Sequence, residues 1–106
     1  MKWVIGLSED RETVLARIRD ALRDVGEYES KRDVDYALND LIDEVESRLR
    51  DVCDEEYEFI DLAGEERLDE GELFVATVRC NGHVFEIHIE LIEDVTYIAR
   101  YAGVKP

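Results

Sequence analysis

The sequence predicts an α+β domain in which a two-helix hairpin packs on one face of an antiparallel β-meander. In the first half of the chain, apolar residues recur three and four apart, as on one face of a helix. After residue 57 they alternate, as in half-buried strands. The predicted order is β-α-α-β-β-β-β, and the length of 106 residues fits a single domain over residues 1–106.

The first predicted elements are a short strand and a helix. Residues 3–7 form a continuous apolar run, typical of a strand at the sheet edge or parallel to its neighbour. Ser8 then provides a helix N-cap, and Gly26 a stop, for a helix over residues 9–25. Its apolar face consists of Val14, Ile18, Ala21, Leu22 and Val25.

A second helix is predicted over residues 31–52. Ser30 and Asp33 form a capping-box pattern at its start, and the short link to the first helix favours an antiparallel hairpin. One side of this helix is apolar and the other acidic. The apolar stripe is Val34, Leu38, Leu41, Val45, Leu49 and Val52, and the acidic side is Asp33, Asp40, Asp43, Glu44 and Asp51.

The second half reads as a series of strands. A strand over residues 57–62 ends at Ala63-Gly64, and an acidic loop follows over residues 65–71. Asn81-Gly82 then separates two alternating runs, residues 73–80 and 83–92, which is the signature of a hairpin with a type I′ turn. That turn predicts the pairs Cys80–His83, Val78–Phe85, Ala76–Ile87 and Phe74–Ile89, with all the apolar residues on one face.

The last strand is predicted over residues 95–102, with 103–106 as a tail. Its register stays open at the sequence level. A two-residue loop places Tyr97 and Tyr101 on the mixed outer face, whereas one extra loop residue turns them towards the core.

The excess of acidic residues limits the kinds of partner that we expect for this chain. The chain carries 13 basic and 28 acidic residues, for a net charge of −15. Such a chain is a poor ligand for nucleic-acid phosphates or anionic membranes, so we expect no direct nucleic acid and no membrane partner. No apolar run approaches the ~18 residues of a membrane span, and the start lacks a signal-peptide core. We expect a cytoplasmic protein.

The negative charge is unevenly distributed along the chain. Residues 27–72 hold a net −14, while the rest of the chain is almost neutral. Adaptation to salt or heat is the competing explanation, because the chain has only 3 Lys, no Gln and two Asn. Adaptation of the whole surface would, however, predict a flatter distribution of charge.

The main functional hypothesis is therefore a non-enzymatic interaction module with an acidic belt that binds a basic protein surface. In its sharpest form it is a nucleic-acid mimic that inhibits a nucleic-acid-binding protein. The residues predicted to bind the partner are Asp40, Asp43, Glu44, Glu55, Glu65 and Glu66.

No motif predicts catalysis or a cofactor. The chain has no phosphate-binding glycine loop, and its three serines do not lie in a nucleophile elbow. A weaker alternative is a small metal-binding domain that uses Cys53, Cys80 and His83. Cys53 and Cys80 could also pair as a disulfide, which an intracellular location disfavours except in hyperthermophiles.

A third hypothesis is a homodimeric structural domain. If the last strand is a sheet edge, Tyr97, Ile98 and Tyr101 are the residues through which two copies would pair.

Overall fold

The α+β prediction is confirmed by the computed structural model, which describes residues 10–31, 34–53, 56–67, 71–93 and 95–105. Two helices pack on one face of a five-stranded antiparallel sheet. The predicted strand at residues 3–7 lies outside the described residues. The elements are α1 (Arg11–Leu22), β1 (Tyr28–Ser30), α2 (Val34–Cys53), β2 (Tyr57–Arg67), β3 (Gly71–Cys80), β4 (His83–Glu93) and β5 (Tyr97–Lys105).

The strand order across the sheet is β1-β5-β4-β3-β2, so β1 and β2 are its edges. The sequence did not predict β1, because three residues carry too little pattern to be recognised. Tyr28–Ser30 pair with the first residues of β5, so this strand depends on a tertiary partner. Ser30 is consequently a strand residue and not a helix cap, and Asp33 lies outside the described residues.

The first helix is shorter than predicted. Its N-cap is Asp10 and not Ser8, since the Asp10 carboxylate accepts a hydrogen bond from the Thr13 backbone N–H at 2.7 Å. That bond lowers the pKa of Asp10. The helix ends at Leu22, where the Arg23 N–H donates to the Asp20 carbonyl and tightens the last turn.

The core lies between the helices and one face of the sheet. Among the described residues, no polar or charged side chain is buried. Both apolar stripes contribute as their periodicity predicted. The fully buried large side chains are Val14, Ile18, Leu22, Leu41, Leu49, Val78, Phe85, Ile87, Ile89 and Leu91.

The β3–β4 hairpin is confirmed residue by residue. Asn81 has a φ of 51° and Gly82 a φ of 85°, the two positive values that a type I′ turn requires. All four predicted pairs, from Cys80–His83 to Phe74–Ile89, occur.

The β2–β3 hairpin is longer than predicted. β2 runs to Arg67 and β3 begins at Gly71, so most of the predicted acidic loop is strand; residues 68–70 lie outside the described residues. Gly64 does not end the strand, because it lies opposite Phe74 and the ring covers its backbone. A Cβ on Gly64 would lie 2.9 Å from Phe74 Cε1. An aromatic ring over a strand glycine supplies the contact that the missing side chain cannot.

The last strand takes the core-facing register of the two left open. Tyr97 pairs with Glu93 and Tyr101 with the buried Ile89, so both tyrosines lie on the helix side and pack against the core. The strand then continues to Lys105 through a register shift, so the predicted tail was wrong. Gly103, with a φ of 130°, supplies the backbone freedom for this irregularity.

The turn makes a direct stability prediction. Gly82→Ala should lower the free energy of unfolding by about 1–2 kcal/mol, because a side chain is strained at positive φ. Urea denaturation measures the change. The control is Gly26→Ala, since Gly26 has no positive φ and no atom within 4 Å of an added Cβ. Equal midpoints for the two variants would contradict the assignment of the turn.

Candidate functional site

The outward side of α2 carries an acidic stripe. Tyr36, Asp40, Asp43 and Ser47 recur at helical spacing and are all exposed; we call them the outer stripe. Neither Asp40 nor Asp43 forms an ion pair with a described residue. The opposite side of α2 is buried in the core, so the two carboxylates stand on a rigid support. The structure thus brings together two of the predicted partner-binding residues.

Glu44, a third predicted residue, is engaged within the molecule. The Arg48 Nε donates to Glu44 Oε2 at 2.7 Å, and its Nη1 donates to the Ala21 carbonyl at 3.0 Å. The same guanidinium pairs with Asp24, which lowers the pKa of that carboxyl. Arg48 therefore joins the end of α1 to α2, and Glu44 shares the positive charge of Arg48 with Asp24.

The remaining belt residues do not extend the outer stripe. Glu55 lies outside the described residues, and Glu65 and Glu66 belong to β2, opposite Leu73 and Glu72. The start of β2 lies beside the end of α2, but Glu66 is roughly 30 Å further along the strand at about 3.3 Å per residue. The predicted belt is therefore divided between a helix and a distant stretch of strand.

Arginine side chains elsewhere are mostly used in internal ion pairs. Among the described residues, five arginines pair with seven carboxylates, because Arg48 and Arg100 each contact two, so the surface potential stays negative. The pairs are Arg23–Asp20, Arg48–Asp24, Arg48–Glu44, Arg50–Glu46, Arg79–Glu58, Arg100–Glu27 and Arg100–Glu90.

The two cysteines form a disulfide. Cys53 at the end of α2 and Cys80 at the end of β3 are both fully buried, with their Sγ atoms 2.02 Å apart. The sequence left this pairing open, and it occurs because the last turn of α2 packs over the hairpin tip. Neither sulfur can act as a thiolate ligand in this state, so the predicted set with His83 loses two of its three donors. The described residues contain no group of three or more potential metal ligands.

The residues of the predicted dimer contact lie on opposite faces. Tyr97 and Tyr101 pack against the core, whereas Ile98 lies on the face away from the helices. The first part of β5 also pairs with β1, so this part of β5 is not a sheet edge. These three residues do not make one surface.

The edge of β2 is a surface that the sequence analysis missed. β2 pairs with β3 on one side, and no described strand pairs with its other side. A register shift between Phe59 and Asp61 leaves Ile60 without a partner residue, and Phe59 and Ile60 are 38% and 44% exposed. The strand order could have indicated this edge, because the first strand of a meander has a sequential neighbour on one side only.

The base of β2 is fixed to α2 through Tyr57. Its hydroxyl donates to Glu46 Oε2 at 3.0 Å, and the Arg50 guanidinium lies 5.7 Å from its ring centre. Burial raises the pKa of Tyr57, and the hydrogen bond to Glu46 raises it further. These contacts of Tyr57 therefore hold the first residue of β2 against α2.

The chain matches no protein-family model, no curated protein and no solved structure. Among the described helices, none is both long and apolar enough to cross a membrane. Fold and site together define an α+β domain with an acidic helix face and with a strand edge, that of β2, which no described strand covers.

The disulfide predicts a large effect of reduction. Breaking Cys53–Cys80, whose sequence separation is 27, should lower the free energy of unfolding by roughly 3–4 kcal/mol, because the unfolded chain gains conformational freedom. Guanidinium denaturation of the oxidised and reduced protein measures the difference. The double variant Cys53→Ala, Cys80→Ala is the control, because reductant should not change its midpoint. Identical midpoints for oxidised and reduced wild type would refute the assignment.

The half-buried Tyr57 predicts a loss of stability in alkali. A raised pKa means that folded Tyr57 keeps its proton at a pH where the unfolded chain releases it, so stability falls as pH rises above about 10. Tyr57→Phe should flatten that fall while costing about 1 kcal/mol at neutral pH through the lost hydrogen bond. Urea midpoints between pH 8 and 11 measure both effects. An unchanged slope in the variant would show that Tyr57 is not coupled to folding.

Proposed function

We propose that this chain is a non-enzymatic interaction module that binds a basic protein surface through the outer stripe of α2. The observation that carries the proposal is the pair of exposed carboxylates, Asp40 and Asp43, which have no ion-pair partner among the described residues. They lie three positions apart on a helix, so their side chains are neighbours on one face. Glu55, Glu65 and Glu66 stay predictions from the sequence and are not part of this proposed contact.

The carboxylates of Asp40 and Asp43 carry negative charge that no ion pair with a described residue balances. Two like charges side by side on a helix destabilise it slightly, so they contribute nothing to folding. They do contribute to binding, because a negative face attracts a positive one over several ångströms and orients the encounter. Asp40 and Asp43 also stand on a helix anchored by its buried face, so little conformational entropy is lost when a partner binds.

The partner favoured by this chemistry is a protein whose own ligand is a nucleic acid. Such a protein presents clustered Lys and Arg that are arranged for phosphates, and helix-borne carboxylates can occupy the same groove. The chain would then act as a nucleic-acid mimic and inhibitor. The uneven distribution of charge along the chain supports this proposal over adaptation to salt or heat, which would affect the whole surface.

The test compares two charge reversals of equal size. Immobilised wild-type protein captures partners from an extract of its source cells at near-native salt, and added DNA or RNA oligonucleotide should displace them. The double variant Asp40→Lys, Asp43→Lys should weaken capture roughly tenfold or more, because attraction becomes repulsion at the contact.

The matched control is the double variant Glu12→Lys, Glu93→Lys. It changes the net charge equally, but its exposed acids lie on α1 and β4. Retention by this control together with loss in the outer-stripe variant supports a specific face. Equal behaviour of the two variants would mean that only total charge matters, and the proposed site would be rejected. Melting temperatures of all three proteins establish that each is folded.

A further inference from the structure

The open edge of β2 presents backbone hydrogen-bonding groups whose identity follows from the hairpin turn. In a two-residue hairpin the residues that flank the turn, Cys80 and His83, exchange both hydrogen bonds, and such pairs then alternate along the ladder. Alternate residues of β3, including Thr77 and Val75, are therefore left to bond β2.

This alternation determines which backbone N–H and C=O groups of β2 do not bond β3. Its residues opposite Thr77 and Val75 are Asp61 and Ala63, so these bond β3. Phe59, Leu62 and Gly64 consequently direct their N–H and C=O groups away from β3. No described strand takes those bonds, and a row of free backbone groups is a template for another strand.

The two faces of this edge differ in chemistry. Phe59 and Leu62 lie opposite the buried Val78 and Ala76, so their side chains are on the helix side. Phe59 keeps 38% of its surface exposed. The exposed Asp61 lies opposite Thr77 and is therefore on the other face. A strand laid along β2 thus meets apolar surface on one side and a carboxylate on the other.

The charge of the edge decides which strand fits. Glu58 of β2 pairs with Arg79 of β3, and the remaining charged residues of β2 are Asp61, Glu65 and Glu66 against a single base, Arg67. A second copy paired edge to edge would place acids beside acids, and like charges on neighbouring strands are destabilising. A cationic strand gains attraction at the same positions.

We propose that the β2 edge binds an extended cationic segment of a partner protein as an added antiparallel strand. Lys or Arg side chains of that segment lie beside Asp61, and β-branched apolar side chains lie beside Phe59 and Leu62. Strand addition of this kind takes its affinity from main-chain hydrogen bonds and its specificity from alternate side chains. The inference rests on the proposed acidic module and adds a second, geometrically defined contact to it.

The first experiment uses a ten-residue peptide of alternating valine and lysine as the probe, titrated against the intact, disulfide-bonded protein by fluorescence anisotropy. Saturable binding is expected, and a valine–glutamate peptide of equal length should not bind. Absence of binding by the valine–lysine peptide would overturn the inference.

N-methylated peptides separate strand addition from simple attraction of charge. In an antiparallel addition the residues on the helix side, here the valines, direct their N–H groups at β2. Methylating the backbone nitrogens of the valines should weaken binding roughly tenfold or more, since several hydrogen bonds to β2 are lost. Methylating the backbone nitrogens of the lysines, which point away from β2, should leave binding unchanged. Equal affinities for all three peptides would overturn strand addition, and loss only with methylated lysine would overturn the antiparallel register.

A variant of the protein locates the contact. Asp61→Lys should weaken binding of the valine–lysine peptide, while Glu93→Lys, an equal change of charge on β4, should not. Equal effects of the two variants would refute the β2 site. The outer-stripe double variant keeps Asp61, so it should bind the peptide as wild type does. The two proposals can therefore fail separately. The peptide assay tests the β2 edge, and partner capture with the charge-reversal variants tests the outer stripe.

Discussion

The two-residue turn at Asn81-Gly82 is the constraint on which the other features depend. Positive φ at both positions closes β3 onto β4 without a spare residue, so the register has no freedom to slip. That register places Cys80, Val78 and Ala76 on one face with Phe85 and Ile87. A shift of one residue would put the apolar residues of β3 and β4 on opposite faces, so the helices could cover only one of the two sets.

Features determined by nearby residues could be predicted from the sequence. The β3–β4 pairs follow from the turn, and the buried sides of both helices follow from three- and four-residue spacing. The register of β5 could only be reduced to two alternatives, because no loop residue between β4 and β5 carries the conformational demand that Asn81-Gly82 does. The observed register is the one with the longer loop, in which Tyr97 and Tyr101 pack against the core.

Features that depend on distant residues could not be predicted. β1 exists because β5 offers it a partner, and β2 passes Gly64 because the Phe74 ring covers that position. The i,i+4 spacing of Glu44 and Arg48 is a local signal for an ion pair, but nothing local shows that Arg48 also reaches the end of α1. The candidate site is therefore only partly visible in the sequence: Asp40 and Asp43 follow from helical periodicity, whereas the β2 edge requires knowledge of the strand order.

The disulfide also has a topological consequence. Cys53 and Cys80 close a covalent ring that contains β2 and β3. A single peptide bond cut anywhere inside that ring, for instance by a protease, leaves two polypeptides that remain tethered through their sulfur atoms. Such a nicked molecule keeps the mass of the intact chain plus one water until a reductant separates the pieces. The part of the chain that carries the open strand edge is thus secured at both ends, by the peptide backbone and by sulfur.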